Sequence, residues 1–244
     1  MKRLLLALPL AALLSASFAA TAADEPKPGW HGSFGAGLSM SSGNSDAKSY
    51  NVGFDLKYDP KTKNLVKLGG LYLRSDANGQ VTADKLTAAL RDEYSFSDRF
   101  YAYGEIGFLH DKVARLDYLW SPGAGIGYRI VKTDTVKLEA SAGFGGAIEK
   151  YEGRESTSGG AYRAGMSFEW KVSPAVGLTQ KATGLWKSDD TGDAYYHLDL
   201  GLTTSLSKIL ELKLAYLLDH KTRPALPTLE KTDTAFIAAV VAKF

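Results

Sequence analysis

The sequence predicts an all-β protein that folds as a closed antiparallel transmembrane β-barrel, with about 12 strands in an up-and-down meander. Three observations support this fold class. The N-terminal segment is apolar, as in exported proteins; apolar and polar residues alternate along nearly all of the remaining chain; and the last strand ends on an aromatic residue. Bacterial barrels of this kind have an even number of strands, an apolar outer face and a polar interior.

Residues 1–22 have the three parts of a secretory signal peptide. Lys2 and Arg3 are basic, residues 4–18 are mostly apolar, and residues 20–22 are small. The apolar run is too short to span a bilayer as a helix, and no stop-transfer flank follows it. We therefore expect cleavage after Ala22.

Residues 23–29 are then expected to form a short periplasmic segment, and residues 30–244 the barrel, in a Gram-negative outer membrane. The chain contains no cysteine, which excludes disulfides, thiolate metal sites and a lipid attached to cysteine. Without Lys2 and Arg3, basic and acidic residues are equal in number. Bulk charge therefore gives no support for nucleic-acid binding.

Period-two alternation defines each strand. In the clearest case, Val52, Phe54 and Leu56 are apolar, while Gly53 and Asp55 lie between them. A strand places such sets on opposite faces. The same pattern predicts strands at residues 30–40, 48–59, 64–74, 84–96, 99–110, 117–130, 135–149, 160–172, 175–187, 194–206, 209–219 and 231–244.

The third to fifth strands alternate less cleanly than the others. Asp92 has the same phase as the apolar residues Leu90 and Tyr94. A charged residue on the apolar face predicts a β-bulge or a change of register nearby.

The predicted connections alternate between short and long, as periplasmic turns and external loops do in barrels with both termini in the periplasm. The short ones are 59–63, 97–98, 131–134, 173–174 and 207–208, and the long ones are 41–47, 75–83, 111–116, 151–159, 188–193 and 220–230. Aromatic residues near strand ends predict two girdles at the membrane boundaries. They are Tyr50, Tyr58, Tyr72, Tyr94, Tyr118, Tyr128, Trp170, Trp186 and Tyr216.

The last strand carries an apolar residue at every second position up to the final aromatic. These residues are Phe236, Ala238, Val240, Ala242 and Phe244. We expect the barrel-assembly machinery to recognise them as an insertion signal. Outer-membrane lipid and lipopolysaccharide are the other expected partners, and the sequence does not indicate an oligomeric state.

Charges of both signs are predicted to face the lumen. They are Asp55, Lys57, Lys67, Arg91, Glu93, Arg129, Lys137, Glu139, Arg163, Glu169, Lys171, Lys181, His197, Asp199, Glu211 and Lys213. Buried charges must be paired or hydrated, so this network either seals the barrel or lines a narrow wet channel. Mixed signs argue against a strongly ion-selective pore. We expect Glu139 to pair with Arg129 or Arg163.

The sequence does not favour catalysis, a metal site or a cofactor. The four histidines are His31, His110, His197 and His220. His197 and Asp199 share a face, but residues two apart on a strand are separated by about 7 Å, too far for a hydrogen bond. The run Gly123, Gly125 and Gly127 has the wrong spacing for a dinucleotide fingerprint. We expect these glycines to reduce interior bulk or to permit curvature.

Ten carboxylates are expected in the external loops: Asp46, Asp76, Asp84, Asp111, Asp117, Glu152, Glu155, Asp189, Asp190 and Asp193. Residues 189–193 lack the spacing and the terminal glutamate of a calcium loop. The expectation is therefore solvated carboxylates rather than a metal site.

Several short motifs, in their order and spacing, resemble a known family. They are Trp30-x-Gly32, residues 42–45, Asp92-x-Tyr94-x-Phe96, Asp111 and the glycine run that ends at Tyr128. Together they resemble the salt-induced outer-membrane proteins, a barrel family of unknown function. The resemblance covers the mature chain and implies an outer-membrane barrel, but it carries no roles for individual residues.

Three functions fit these observations. The first is a passive barrel that stabilises the envelope or conducts small polar solutes. The second is a hydrolase that modifies outer-membrane lipid, and the third is a protein that binds partners through its external loops. The absence of a nucleophile motif favours the non-enzymatic hypotheses.

Overall fold

The structure is a computed structural model that describes residues 28–41 and 47–244. The predicted signal peptide and most of the predicted periplasmic segment lie outside these residues. The strands are β1 (Gly29–Ser41), β2 (Ala47–Asp59), β3 (Asn64–Ala77), β4 (Gln80–Ser95), β5 (Phe100–Asp111), β6 (Leu116–Lys132), β7 (Val136–Tyr151), β8 (Thr157–Lys171), β9 (Val176–Lys187), β10 (Ala194–Ser205), β11 (Leu210–Lys221) and β12 (Thr232–Lys243). No helix among the described residues is long and apolar enough to cross a membrane.

The twelve strands form a closed barrel in which each strand pairs with its sequence neighbours and β1 pairs with β12. The pairs are antiparallel, including the closing pair. The predicted fold class is therefore confirmed. Closure leaves no sheet edge, which is the property that lets a sheet exist in lipid. We call the end that holds Phe244 the terminal end, and the opposite end, with residues 78–79 and 188–193, the loop end.

The predicted irregularity near Asp92 is wrong. The register between β3 and β4 runs without interruption from Ala83 to Tyr94, and Asp92 is exposed on the outer face. It lies three residues from the end of β4, about 10 Å along the strand. The carboxylate is thus close to the polar boundary of a membrane and needs no bulge to escape the apolar band.

The connection between β3 and β4 also differs from the sequence prediction. A long loop was predicted at residues 75–83, but the two strands extend to Ala77 and Gln80 and are joined by a tight turn. Asn78 and Gly79 both have positive φ, at 50° and 76°. Asn-Gly is the preferred pair for such a hairpin turn. The alternation of short and long connections is consequently broken at this hairpin.

The outer surface is apolar over most of its height. Large side chains such as Leu38, Ile126 and Phe144 are more than half exposed. Aromatic pairs lie at both ends: Trp30 and Tyr58 have ring centroids 5.1 Å apart at the terminal end, and Trp186 and Tyr196 are 5.6 Å apart at the loop end. An apolar band between two aromatic girdles is the surface that a bilayer requires.

The interior contains apolar as well as polar side chains, which departs from the expectation of a uniformly polar lumen. One apolar cluster, the leucine layer, joins Leu109, Leu116, Leu119, Ala147 and Ala161 near the loop end. A second cluster comprises Ala215, Leu217, Ile237, Ala239 and Val241 on β11 and β12. Polar and charged groups occupy the rest of the interior.

Candidate functional site: a charged lumen

A cavity of about 640 Å³ lies in the barrel lumen. All twelve strands contribute to its lining. Of the charged residues that the sequence placed in the lumen, those that line the cavity are Asp55, Arg91, Arg163, Glu169, Lys181, His197, Asp199, Glu211 and Lys213. The lumen is therefore partly empty space and partly filled by the side chains described below.

One wall of the lumen holds an ionic network, which we call the inner network. Its members are Lys67, Arg91, Glu93, Glu105, Arg129, Glu139 and Arg163. Arg91 bridges two carboxylates, with Nε 2.8 Å from Glu93 Oε1 and Nη1 2.6 Å from Glu105 Oε2. Arg91 and Arg129 each contact two carboxylates, and Arg163 contacts Glu105 together with backbone carbonyl oxygens. The opposite charges of the network therefore compensate one another.

Glu93 is the centre of this network. Its side chain is only 2% exposed, and Lys67 Nζ lies 2.9 Å from its Oε1. Arg129 lies between Glu93 and Glu139, with Nη2 3.9 Å from Glu93 Oε2 and Nε 3.7 Å from Glu139 Oε1. Arg163 forms an ion pair with Glu105. Glu139 thus contacts Arg129 and not Arg163.

Tyrosine rings support the arginines. The Arg91 guanidinium lies 3.6 Å from the centre of the Tyr103 ring, and that of Arg129 lies 4.6 Å from the Tyr101 ring. The Tyr101 hydroxyl donates a hydrogen bond to Glu139 at 3.3 Å. Cation–π contacts of this kind fix the guanidinium plane and strengthen as water is excluded.

The glycine run on β6 makes room for these buried groups. A Cβ placed on Gly127 would lie 2.1 Å from Tyr101 Cζ, and one on Gly123 would lie 2.7 Å from Arg163 Cζ. At Gly125 the added Cβ would lie 2.7 Å from the Tyr103 hydroxyl. The glycines therefore do not leave the interior empty, as reduced bulk would imply. They form a trough that two tyrosines and an arginine fill.

At the loop end, a first ion cluster surrounds Lys85. Lys85 Nζ lies 2.5 Å from Asp219 Oδ2 and 3.2 Å from Asp111 Oδ2. His197 Nδ1 lies 2.7 Å from Asp219 Oδ1, and the Tyr195 hydroxyl donates to the same carboxylate. Asp111 was expected to be solvated in a loop. It is instead 7% exposed, because the end of β5 turns it inward.

A second ion cluster at the loop end joins Glu149, Lys187, Asp193 and Lys221. Asp193 lies 2.7 Å from the amines of both Lys187 and Lys221, and Glu149 pairs with Lys187 as well. Burial by itself raises the pKa of Asp193, but hydrogen bonds and charge from Lys187 and Lys221 lower the pKa below its ordinary value. This carboxylate, too, is held in an ion cluster rather than being freely solvated as expected.

Other predicted loop carboxylates are also on strands. Asp76 and Asp84 belong to β3 and β4, and both pair with Arg74 on the outer side of the barrel. Asp117 lies on β6 and pairs with Lys150 at 3.9 Å. β3 extends past its predicted end and includes Asp76, whereas Asp84 and Asp117 are the first residues of predicted strands and lie on β4 and β6 rather than in loops.

The two ends of the lumen differ in how tightly their charges are packed. At the loop end, the side chains of Lys85, Lys187 and Lys221 are 14%, 24% and 21% exposed. At the terminal end, Lys57 and Lys137 are 46% and 47% exposed. The leucine layer lies beside the loop-end clusters. These lysines are therefore more enclosed at the loop end than at the terminal end, although Glu93 and Arg129 of the inner network, which also lie toward the terminal end, are buried.

The remaining predicted charges lie nearer the terminal end. Lys57 pairs with Asp59 at 3.6 Å, and Lys137 pairs with Glu169 at 3.6 Å. Glu211 pairs with Lys243 at 2.5 Å. Lys171 is exposed there. These pairs are local, and none of them joins the inner network.

Sequence reasoning missed several members of the ionic clusters. They are Lys85, Glu105, Glu149, Lys187, Asp219, Lys221 and Lys243. Glu105 has the same phase as Tyr101 and Tyr103 on β5. Because aromatic residues are expected to face lipid, this phase did not indicate that Glu105 faces the lumen. The others lie near strand ends. Five of these six are already inside the predicted strands and in phase with the inward residues, and extending the eleventh strand by two residues would have included Lys221 as well.

Three of the histidines have the following polar contacts within the described residues. His197 contacts Asp219, His110 contacts the carbonyl of Asp117, and His220 contacts the Thr232 hydroxyl at 2.7 Å. In none of these contacts is a serine the partner. No group of three or more potential ligand side chains within residues 28–41 and 47–244 could hold a metal ion.

Comparisons with known proteins give a family and a fold. Residues 34–244 match the family model described as "Protein of unknown function, DUF481". No curated protein matches the chain. Among solved structures, the chain is similar to the NanC porin at 8% identity, over 87% of this chain and 98% of that one, with a TM-score of 0.52.

Two further solved structures show a weaker similarity. One is the translocator domain of the autotransporter NalP from Neisseria meningitidis, at 12% identity over 91% of this chain and 90% of that one, with a TM-score of 0.48. The other is the KdgM porin, at 7% identity over 88% and 99%, with a TM-score of 0.46. At such identities the NanC likeness shows a shared fold, and the ligand must be argued from the site itself.

Proposed function

This chain belongs to the DUF481 family, whose function is unknown, and we propose that it is an integral outer-membrane barrel that passes small polar solutes slowly through a constricted lumen. The apolar outer band and the two aromatic girdles support a membrane location. The predicted signal peptide with cleavage near Ala22 supports export. The designation as a salt-induced protein stays an expectation from the sequence resemblance.

The observation that carries this proposal is the shape of the lumen. A cavity of about 640 Å³ carries charges of both signs along the lumen, and the lysines at its loop end are more enclosed than Lys57 and Lys137 at its terminal end. In barrels of this class both termini lie in the periplasm, which makes the loop-end clusters and the leucine layer the external constriction. Charges of both signs make such a lumen passable to polar solutes without strong selectivity for anions or cations.

Planar-bilayer recordings of the refolded protein test the proposal. We expect small conductance steps for the wild type and larger steps for the double variant Leu109→Ala and Leu119→Ala, which thins the leucine layer. The double variant Leu200→Ala and Leu202→Ala removes an equal volume from the outer face and serves as the matched control, with steps unchanged. A silent bilayer for both the wild type and the double variant would contradict a passage.

Tight packing of the loop end favours a second candidate, a sealed barrel that stabilises the envelope. Under that hypothesis Glu149→Gln lowers thermal stability because Lys187 and Lys221 lose a shared carboxylate, while no current appears in any form. The two candidates therefore differ in a single recording. The contacts of the histidines support neither lipid hydrolysis nor another enzymatic role, and we propose that the protein is not an enzyme.

The predicted partners follow from the same proposal. We propose that the outer face contacts outer-membrane lipid and lipopolysaccharide, and that the barrel-assembly machinery recognises the alternating apolar residues of β12. Phe236 and Phe244 support this because both side chains are 70% exposed on the outer face.

A further inference from the structure

The lumen has one apolar wall that solute passage does not explain. It is formed by inward side chains of β12, its neighbour β11 and one residue of β3, namely Leu71, Ala215, Leu217, Ala235, Ile237, Ala239 and Val241. All of these except Ala235 line the cavity. From Ala235 to Ala242 the outward residues of β12 are apolar as well, so this part of the strand has no polar face. A lumen that passes only hydrated solutes is expected to be polar on every strand, so it does not account for an apolar inner face here.

The apolar wall lies directly behind the seam that closes the barrel. The register of β1 with β12 runs from Ser33 opposite Lys243 to Ala36 opposite Val240. The register described between these strands ends there, although β1 continues to Ser41 in regular pairing with β2. We call the segment of the seam beyond Ala36 the upper seam.

The two strands still touch at the start of the upper seam. A Cβ on Gly37 would lie 1.9 Å from the carbonyl oxygen of Ala238. Contact without a ladder of hydrogen bonds makes this the part of the barrel wall that separates most easily, because elsewhere each strand is held by pairing on both sides. Outside it, Leu38 and Phe236 present exposed apolar side chains to the bilayer.

Two lysines lie beside the terminal half of the apolar wall. Lys213 is the register partner of Ala239, and Lys181 faces Asp199 across the β9–β10 pair. Both lysines line the cavity, and neither forms an ion pair with the residues that the structure describes. Asp199 Oδ1 is buried and has no hydrogen-bond partner there. The other acidic groups in this part of the lining are Asp55, Glu169, which pairs with Lys137, and Glu211, which pairs with Lys243.

We propose that the lumen binds a single-chain amphiphile with an anionic head group, which reaches it from the bilayer through the upper seam. The chain lies along the apolar wall, and Lys213 and Lys181 bind the carboxylate or phosphate of the head. Asp199 accepts a hydrogen bond from a head-group hydroxyl where one is present. The cavity volume is within the range of about 300–1,000 Å³ that is usual for small-molecule sites.

Photolabelling distinguishes a bound amphiphile from lipid that merely surrounds the barrel. The probe is stearic acid with a diazirine in mid-chain, added to phosphatidylcholine vesicles that contain the refolded protein. Labelled residues are identified by mass spectrometry. We expect label on the inward residues Leu217 and Ile237 in addition to the outward Phe236 and Val240. Label confined to the outward residues would overturn the proposal.

The head-group contacts are tested by charge removal. Lys213→Gln is expected to lower inward labelling at least five-fold while outward labelling is unchanged. Lys150→Gln removes a cation from the outer face and should leave both unchanged. Equal inward labelling in the two variants would refute the role of Lys213. The same assay with an acyl lysophosphatidylglycerol diazirine probe shows whether a phosphate head competes better than a carboxylate, and either ranking is compatible with the shared anion site.

The route is tested by closing the seam. Continuation of the register would place Leu38 opposite Ala238, so the variant Leu38→Cys with Ala238→Cys can form a disulfide across the upper seam. The chain has no other cysteine. We expect the oxidised protein to lose inward labelling and to regain it on reduction. Phe34→Cys with Ala242→Cys, at a pair that is already in register, should label normally. Inward labelling that persists in the oxidised upper-seam variant would overturn access from the bilayer.

Discussion

The most stringent test of the inner network is the replacement Glu93→Gln. Glu93 accepts from Lys67 at 2.9 Å and from Arg91 at 2.8 Å, and its side chain is 2% exposed. The substitution keeps the volume and removes the negative charge. Losing one partner of a buried ion pair costs about 3–5 kcal/mol, because the remaining charge stays buried.

The structure places the expected cost at the lower end of that range. Arg91 and Arg129 keep second carboxylates, Glu105 and Glu139. Lys67 is 41% exposed, so water screens part of its charge. We therefore expect a loss of about 3 kcal/mol in the free energy of unfolding.

Urea unfolding in phosphatidylcholine vesicles, followed by tryptophan fluorescence, measures this change. The matched control is Glu169→Gln, which breaks the pair with Lys137. Both of those side chains are about half exposed, and an exposed pair contributes at most about 1 kcal/mol. A smaller loss for Glu93→Gln than for Glu169→Gln would refute the view that the inner network stabilises the barrel.

Three further predictions concern the outer face, the last residue and the loop-end clusters. Phe54→Arg places a charge in the apolar band and should cost about 2–4 kcal/mol, whereas Asp55→Arg in the lumen should cost less; urea unfolding in lipid showing the reverse order would mean that the faces are misassigned. Deletion of Phe244 should lower the amount of protein in the outer membrane and leave periplasmic aggregate, as measured by fractionation and blotting; normal surface amounts would argue against an insertion signal at this residue. The pKa of Asp193 is lowered in the fold, so its stabilising effect is complete above the pKa of the unfolded carboxylate, about 4, and is lost as the pH falls through the lower folded value. The melting temperatures of wild type and Asp193→Asn should therefore differ at pH 7 and converge in acid, and a difference that stays constant with pH would exclude ionisation as the cause.

The strand pattern of this chain could be predicted from sequence because the two faces of every strand have different surroundings. Lipid outside and polar groups inside select alternate residues, and Val52 to Leu56 shows the resulting period directly. The turns were less predictable, since their length depends on where a ladder stops pairing. The pair Asn78-Gly79 favours a tight hairpin turn, but the residues on either side of it are also typical of a loop and therefore predict a longer connection.

The candidate site was only partly accessible to sequence reasoning. The phase of Glu139 and Arg129 follows from alternation, but the inward position of Tyr101 and Tyr103 follows from space that Gly123, Gly125 and Gly127 create on a neighbouring strand. The sequence of one strand does not show how much space the glycines of its neighbour leave in the lumen. Pairing distances set by the barrel radius and by rotamers also decide which lysine reaches which carboxylate, and no local pattern encodes them.

In the outer-membrane location and orientation proposed above, the tight turn at Asn78-Gly79 affects how the cell surface would present this protein. With β3 and β4 closed so abruptly, and the neighbouring loop limited to residues 112–115, this side of the barrel rises little above the membrane. The sugar chains of lipopolysaccharide would stand over it. Antibodies and phages that approach intact bacteria should therefore find few accessible epitopes on this side of the barrel. These epitopes should become accessible when the sugar chains are truncated.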